Sequence, residues 1–151
     1  MKIQDKYYMQ LALDNAKIAE SENEIPVGAI IVKNDTIISC GYNKREIGKN
    51  ALYHAEIEAI NNACKSLGGW RLCGCDLYVT LEPCPMCAGA IINARIERIV
   101  FGAYDKKSGA CGSVINLFNY SFNHHPQIVG GILQKDCSEI LSNFFKKIRN
   151  K

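Results

Sequence analysis

Two short segments concentrate the residue types that carry chemistry: His54-Ala55-Glu56 and Pro83-Cys84-Pro85-Met86-Cys87. Cysteines three apart at the start of a helix project from one face. Two thiolates then reach a single ion at about 2.3 Å, and the helix amino terminus favours their negative charge. A histidine supplies the third ligand. Three protein ligands leave the fourth tetrahedral position to water, the arrangement of a catalytic zinc, whereas a structural site wants four protein ligands. Two thiolates and a neutral imidazole balance a divalent cation, so its bound water ionises with little build-up of charge. The reading is one Zn2+ per chain on His54, Cys84 and Cys87, with Glu56 as the catalytic proton shuttle. Residues two apart in a regular helix point to opposite sides, so His54 is expected in the first turn of its helix, its ring turned back to the metal while the longer Glu56 reaches the water. The competing reading makes His54 a core histidine, Cys84 and Cys87 small buried residues, and Glu56 a solvent-facing acid.

The elements that must position these residues follow from periodicity. Residues 5 to 20 place Tyr8, Leu11, Ala12, Ala16 and Ala19 on one helical face. Val27 to Val32 and Thr36 to Gly41 read as strands, and Asn34-Asp35 between them makes a hairpin. From His54 to Leu67 a stripe of Ile57, Ile60, Cys64 and Leu67 predicts a helix closed by Gly68-Gly69. Leu77 to Leu81 is a short buried strand, and Pro85 opens a helix to about Ala94, its fixed φ suiting that place. Ile99 to Ala103 is the next strand, and a short one lies near Ile128. The last helix carries Cys137, Ile140, Leu141, Phe144, Phe145 and Ile148. A hairpin followed by alternating helices and strands predicts a mixed sheet covered by helices on both faces, in one α/β domain over residues 1–151.

Composition bounds the function. A chain of 151 residues fits one core, and 48% hydrophobic with 22% charged residues is ordinary for a globular domain. The opening Met1-Lys2-Ile3-Gln4-Asp5-Lys6 lacks the apolar stretch of a signal peptide, and no run approaches membrane-spanning length, so a cytoplasmic protein is expected. In a reducing compartment grouped cysteines point to metal or catalysis before disulfides. Cys40, Cys64, Cys111 and Cys137 are expected as packing residues, while Cys73 and Cys75 stay unassigned. A net charge of +3 does not by itself establish a nucleic-acid partner, but Lys44, Arg45, Lys106, Lys107 and the tail Lys146, Lys147, Arg149 and Lys151 form a candidate phosphate track.

H-x-E with P-C-x-x-C is the signature of zinc nucleobase deaminases. Within that class the chain resembles the bacterial tRNA-specific adenosine deaminases over nearly its whole length. The resembling segments are Ile25-Pro26-Val27-Gly28-Ala29, Gly41-Tyr42-Asn43, His54 to Ile57, Leu77 to Ala90, Val100-Phe101-Gly102-Ala103, and Phe144-Phe145 before a basic tail. The resemblance implies a cytidine-deaminase-like fold, a three-layer α/β/α arrangement with a central mixed five-stranded sheet, and a homodimer. It implies conversion of adenosine to inosine at the wobble position of a tRNA anticodon stem-loop, that of an arginine tRNA, by a zinc-activated hydroxide. Asn43 is then expected to bind the flipped base, the backbone at Ala55 and Cys84 to line the pocket, and Asp105 and Asn123 to meet flanking nucleotides. RNA backbone contacts are expected from Lys106, Lys107, Phe145, Lys146, Lys147 and Arg149. Leu52-Tyr53 departs from relatives that carry a small residue before the histidine. A free-base guanine deaminase is the rival inside the class, and a noncatalytic zinc-stabilised module binding RNA or protein is the rival outside it.

Overall fold

The computed structural model describes residues 1–150; Lys151 of the expected basic tail lies outside them. Helix α1 (Asp5–Ser21) leads into strands β1 (Gly28–Lys33) and β2 (Thr36–Tyr42), then α2 (Ala55–Leu67), β3 (Cys75–Leu81), α3 (Pro85–Ala94), β4 (Arg98–Ala103), a single 3-10 turn at Leu117–Asn119, β5 (Gln127–Val129) and α4 (Gln134–Arg149). The sheet order is β2-β1-β3-β4-β5. β1 pairs antiparallel with β2 and β3, while β3–β4 and β4–β5 are parallel. Asn34 and Asp35 take left-handed φ values of 50° and 59°, the geometry that closes the β1–β2 hairpin. Helices α2 and α3 cover one face over a core that includes Leu77, Val79, Ile91 and Ile99. Helices α1 and α4 cover the other over Met9, Ile30, Tyr78 and Val100. This is the expected α/β/α sandwich on a mixed five-stranded sheet. Among the described residues no helix is long and apolar enough to cross a membrane.

Two packing expectations are corrected. The buried face of α2 is Ala55, Glu56, Ala59 and Ala63, and the stripe Ile57, Ile60, Cys64 and Leu67 lies half-buried to exposed. The cause is a close approach: a Cβ on Gly41 of β2 would sit 2.6 Å from the Ala55 carbonyl oxygen, and Ser39 Oγ donates to the Ala59 carbonyl at 2.7 Å. A helix drawn this near to a sheet presents alanines and pushes larger residues to its flanks. Cys40 is exposed, because the strand period turns Ser39 and Gly41 onto α2 and Cys40 away from it. Cys111 and Cys137 are buried as packing residues and Cys64 is half-buried.

Candidate active site

Both ligand-bearing segments end on the amino terminus of a helix. His54 is the N-cap of α2, with extended φ −83° and ψ 156°, and Cys84 is the N-cap of α3, with φ −77° and ψ 173°. This corrects the expected place of His54 inside the first turn. Its backbone is extended, so the opposition of positions i and i+2 in a helix does not apply, and Glu56 in the first turn of α2 can share its direction. Pro85 follows Cys84 as the first helical residue, and Cys87 comes one turn after the cap, on the same side.

His54 Nδ1 lies 3.6 Å from Cys84 Sγ and 3.5 Å from Cys87 Sγ. A tetrahedral ion with Zn–N and Zn–S bonds of about 2.1 and 2.3 Å separates such ligand atoms by about 3.6 Å, so the donor set fits zinc in type and in spacing. Among the described residues these three form the one group of metal-ligating type whose ligand atoms all lie within 4.8 Å of one another. Cys73 is exposed and Cys75 is buried in the core at the start of β3, so neither joins them. A hydrogen bond from the Cys87 thiol, together with the His54 ring, holds Cys84 down to about 4, and the same sharing pushes Cys87 up. The Cys84 thiolate likewise raises His54. Burial pushes the Glu56 carboxyl up to about 7.

His54, Glu56 and Cys84 form the floor of a pocket of about 510 Å³, lined also by Asn43, Ala55, Leu81, Tyr104, Leu141 and Phe145, with exposed Arg45, Lys106 and Lys107 at its charged edge; Cys87 is fully buried and outside the lining. Two buried carboxylates suspend the loops around it. Glu24, 1% exposed, accepts the backbone N–H of Glu46 at 3.1 Å and of Ile47 at 2.6 Å, shaping the loop between Asn43 and His54. Glu82, 2% exposed and two residues before Cys84, accepts the N–H of Asp105, Cys111 and Ser113 at 3.0, 3.0 and 3.1 Å, and also the Ser113 hydroxyl. Neither anchor is visible in the sequence, because carboxylates that bind mainly backbone amides are not marked by residue types at their partners' positions.

The remaining expected residues divide. Asn43 is buried against the pocket, its amide donating to the Ile25 carbonyl at 3.4 Å. Asp105 lines the pocket, but its oxygens already accept Lys107 N–H, Ser108 N–H and Ser108 hydroxyl, so its first role is to shape its own loop. Asn123 is exposed and outside the pocket lining. Phe145 turns to the pocket, while Lys146 and Lys147 line a separate groove between α1 and α4 and Arg149 is exposed outside both. Lys44 is paired with Glu58 at 2.6 Å. Tyr53 lays its ring over Gly48 within its own loop, and it and Leu52 are absent from the pocket lining.

Residues 2–103 match the model of the cytidine and deoxycytidylate deaminase zinc-binding region. The tRNA-specific adenosine deaminase of Bacillus subtilis (strain 168) is 48% identical over 149 residues, spanning 98% of this chain and 92% of that protein. A solved structure from work on A-to-I editing by tRNA:A34 deaminases at the wobble position superposes with a TM-score of 0.86 at 43% identity, over 89% of this chain and 99% of that one. A guanine deaminase from Nitrosomonas europaea shares the fold at 21% identity, with a TM-score of 0.82 over 92% of this chain and 83% of its own. With a His/Cys/Cys donor set of zinc dimensions beside its pocket, this chain belongs to the zinc-dependent cytidine and deoxycytidylate deaminase family.

Proposed function

We propose that this protein converts adenosine to inosine at the wobble position of a tRNA anticodon, with an arginine tRNA as the expected substrate. The observation that carries the reading is Glu56, 4% exposed beside the His54, Cys84 and Cys87 donor set, at the floor of a pocket whose edge carries Arg45, Lys106 and Lys107. A relative of 48% identity named for this activity supports it. The bound zinc supplies the Lewis acidity that makes water a nucleophile at neutral pH. Glu56 takes one proton from the water that attacks C6 of adenine and delivers it to ring N1; it then takes the second proton from the new C6 hydroxyl and passes it to the amino nitrogen, so that the C6 carbonyl forms as the C6–N bond breaks and ammonia leaves. A carboxyl that burial has made more basic than usual suits both the uptake and the return.

Asn43 presents its amide to the base edge, and the backbone at Ala55 and Cys84 closes the pocket around it. The substrate base must be unpaired to enter, which an anticodon stem-loop provides and a duplex does not. Asp105 and Asn123 are assigned to the flanking nucleotides, and Lys106, Lys107 and Phe145 to the RNA backbone, with Lys146, Lys147 and Arg149, which lie outside the pocket lining, as the weaker outer part of the same track. The protein acts as a cytoplasmic homodimer. Incubating it with tRNA, free adenosine, cytidine and guanine, and weighing the products, tests the reading: inosine in tRNA supports it, and xanthine from guanine with no inosine overturns it in favour of a free-base enzyme.

A further inference from the structure

Tyr104 lies just past the end of β4, 49% exposed, in the lining of the pocket beside Asp105, Lys106 and Lys107. It has no part in holding the metal, moving the proton or binding the base as described above. Its ring stands edge-on to Phe101, with centroids 5.1 Å apart and planes at 88°. Its hydroxyl end lies against the Gly130–Gly131 segment: a Cβ at Gly130 would come within 2.8 Å of Tyr104 Oη and 2.5 Å of Phe101 Cζ. The absence of a side chain at Gly130 therefore makes room for both rings. The adjacent backbone is fixed as well, because the N–H of Asp105 donates to buried Glu82 at 3.0 Å.

The result is an aromatic ring seated from behind, with half of its surface open on a rim that also carries cations. Stacking surfaces interleaved with basic groups are how proteins hold unpaired nucleotides, and a ring that is already immobilised loses little freedom on stacking. A base drawn down to Glu56 leaves its chain neighbours at the pocket mouth, where the sugar–phosphate backbone enters and leaves. The geometry points to Tyr104 as a specificity-determining residue that stacks on a base flanking the reacting adenosine. This rests on the RNA substrate proposed above.

The test uses an anticodon stem-loop with 2-aminopurine at either nucleotide flanking the adenosine. Wild-type protein is expected to quench one of the two positions. Tyr104→Leu should lose that quenching and raise both Kd and KM roughly tenfold, the scale of one base–aromatic stack, with kcat little changed. Tyr104→Phe and Tyr104→Trp should retain quenching and affinity, which separates ring stacking from a role of the hydroxyl. The leucine variant's melting temperature guards against a folding defect, and the tryptophan variant carries the test if leucine disturbs the loop. Wild-type quenching and affinity in Tyr104→Leu, or their loss in both Tyr104→Phe and Tyr104→Trp, overturns the inference while leaving the substrate reading intact. A wild-type protein that makes no inosine in the stem-loop overturns the substrate reading itself, and the stacking role with it.

Discussion

Two of the regions where this molecule buries charge resolve it in opposite ways. On the α1 face, Arg98 donates to Asp5 at 2.9 and 3.2 Å and to Asp76 at 3.0 Å. Tyr78 donates to Asp5 at 2.7 Å, and the backbone N–H of Lys2 does so at 2.8 Å. Burial works against the Asp5 charge, but Arg98, Tyr78 and the Lys2 amide outweigh it and hold the carboxyl below its ordinary value. At the pocket floor, burial dominates and the Glu56 carboxyl rises to about 7. A buried carboxylate with a full set of donors is fixed in its charge and serves architecture. One without them can exchange a proton with a reactant. The difference predicts that variants at the two places will separate activity from stability.

The largest effect belongs to Glu56→Gln, which keeps the side chain's size and removes its basicity. Inosine formation should fall by at least the roughly 10²- to 10⁴-fold of general acid–base catalysis, with zinc content and melting temperature near wild type. A variant that still turns over at the wild-type rate would remove Glu56 from the mechanism. Cys87→Ala comes next, because two remaining ligands hold zinc poorly. Elemental analysis should show most of the metal lost from a protein that otherwise carries about one zinc per chain, and full occupancy would take Cys87 out of the ligand set.

Arg98→Ala inverts the pattern. It leaves Asp5, which is fully buried, without its cation, and removing one partner of a buried pair costs about 3–5 kcal/mol. Denaturant melts should show that loss, while the folded fraction keeps its zinc and its kcat. The acid limb carries a second signature. A carboxyl depressed in the folded state contributes stability above its unfolded pKa, near 3.8, and that contribution disappears as pH falls through the lower folded value. Wild-type stability should therefore drop below about pH 4. Without Arg98 only Tyr78 and the Lys2 amide oppose the burial penalty, so this part of the acid loss should shrink. Equal acid limbs in the two proteins would show that the cluster does not govern Asp5.

What was legible in the sequence was local. Helix α3 can be read to its limits, Pro85 to Ala94, because proline fixes one end and the apolar run the other. The donor set is legible because a motif states it. Three features were hidden because they depend on what lies across the fold. The α2 face was misjudged because Gly41 draws the helix close enough to favour alanines over isoleucines. Asp5, Asp76 and Arg98 look like scattered surface charges until β3 and β4 pair and α1 docks on them. Phe145 fits the apolar stripe of α4 and only the resemblance points it to RNA; the stripe runs past the edge of the core, leaving Phe145 at the pocket and Ile148 half exposed.

The smallest predicted effect extends the comparison to charges on the surface. Lys106 and Lys107 stand at the pocket edge, whereas Lys146 and Lys147 share their groove with Lys17, Glu20, Asp136 and Glu139. Neighbouring acids already screen the second pair and offset part of its attraction for phosphate. Each phosphate contact contributes about 0.7 to the slope of log affinity against log salt for single-stranded nucleic acid. Lys106→Gln with Lys107→Gln should therefore flatten the slope by about 1 to 1.5 if both lysines meet RNA phosphates. Lys146→Gln, Lys147→Gln and Arg149→Gln together should change it by less than one contact's worth, despite removing more charge. Substitution is preferable to truncation here, because α4 runs to Arg149 and cutting it would remove the turn that follows Phe145. If the tail triple flattens the slope more than the pocket pair does, the RNA path crosses the α1–α4 groove, and proximity to the reacting base is the wrong guide to which lysines bind.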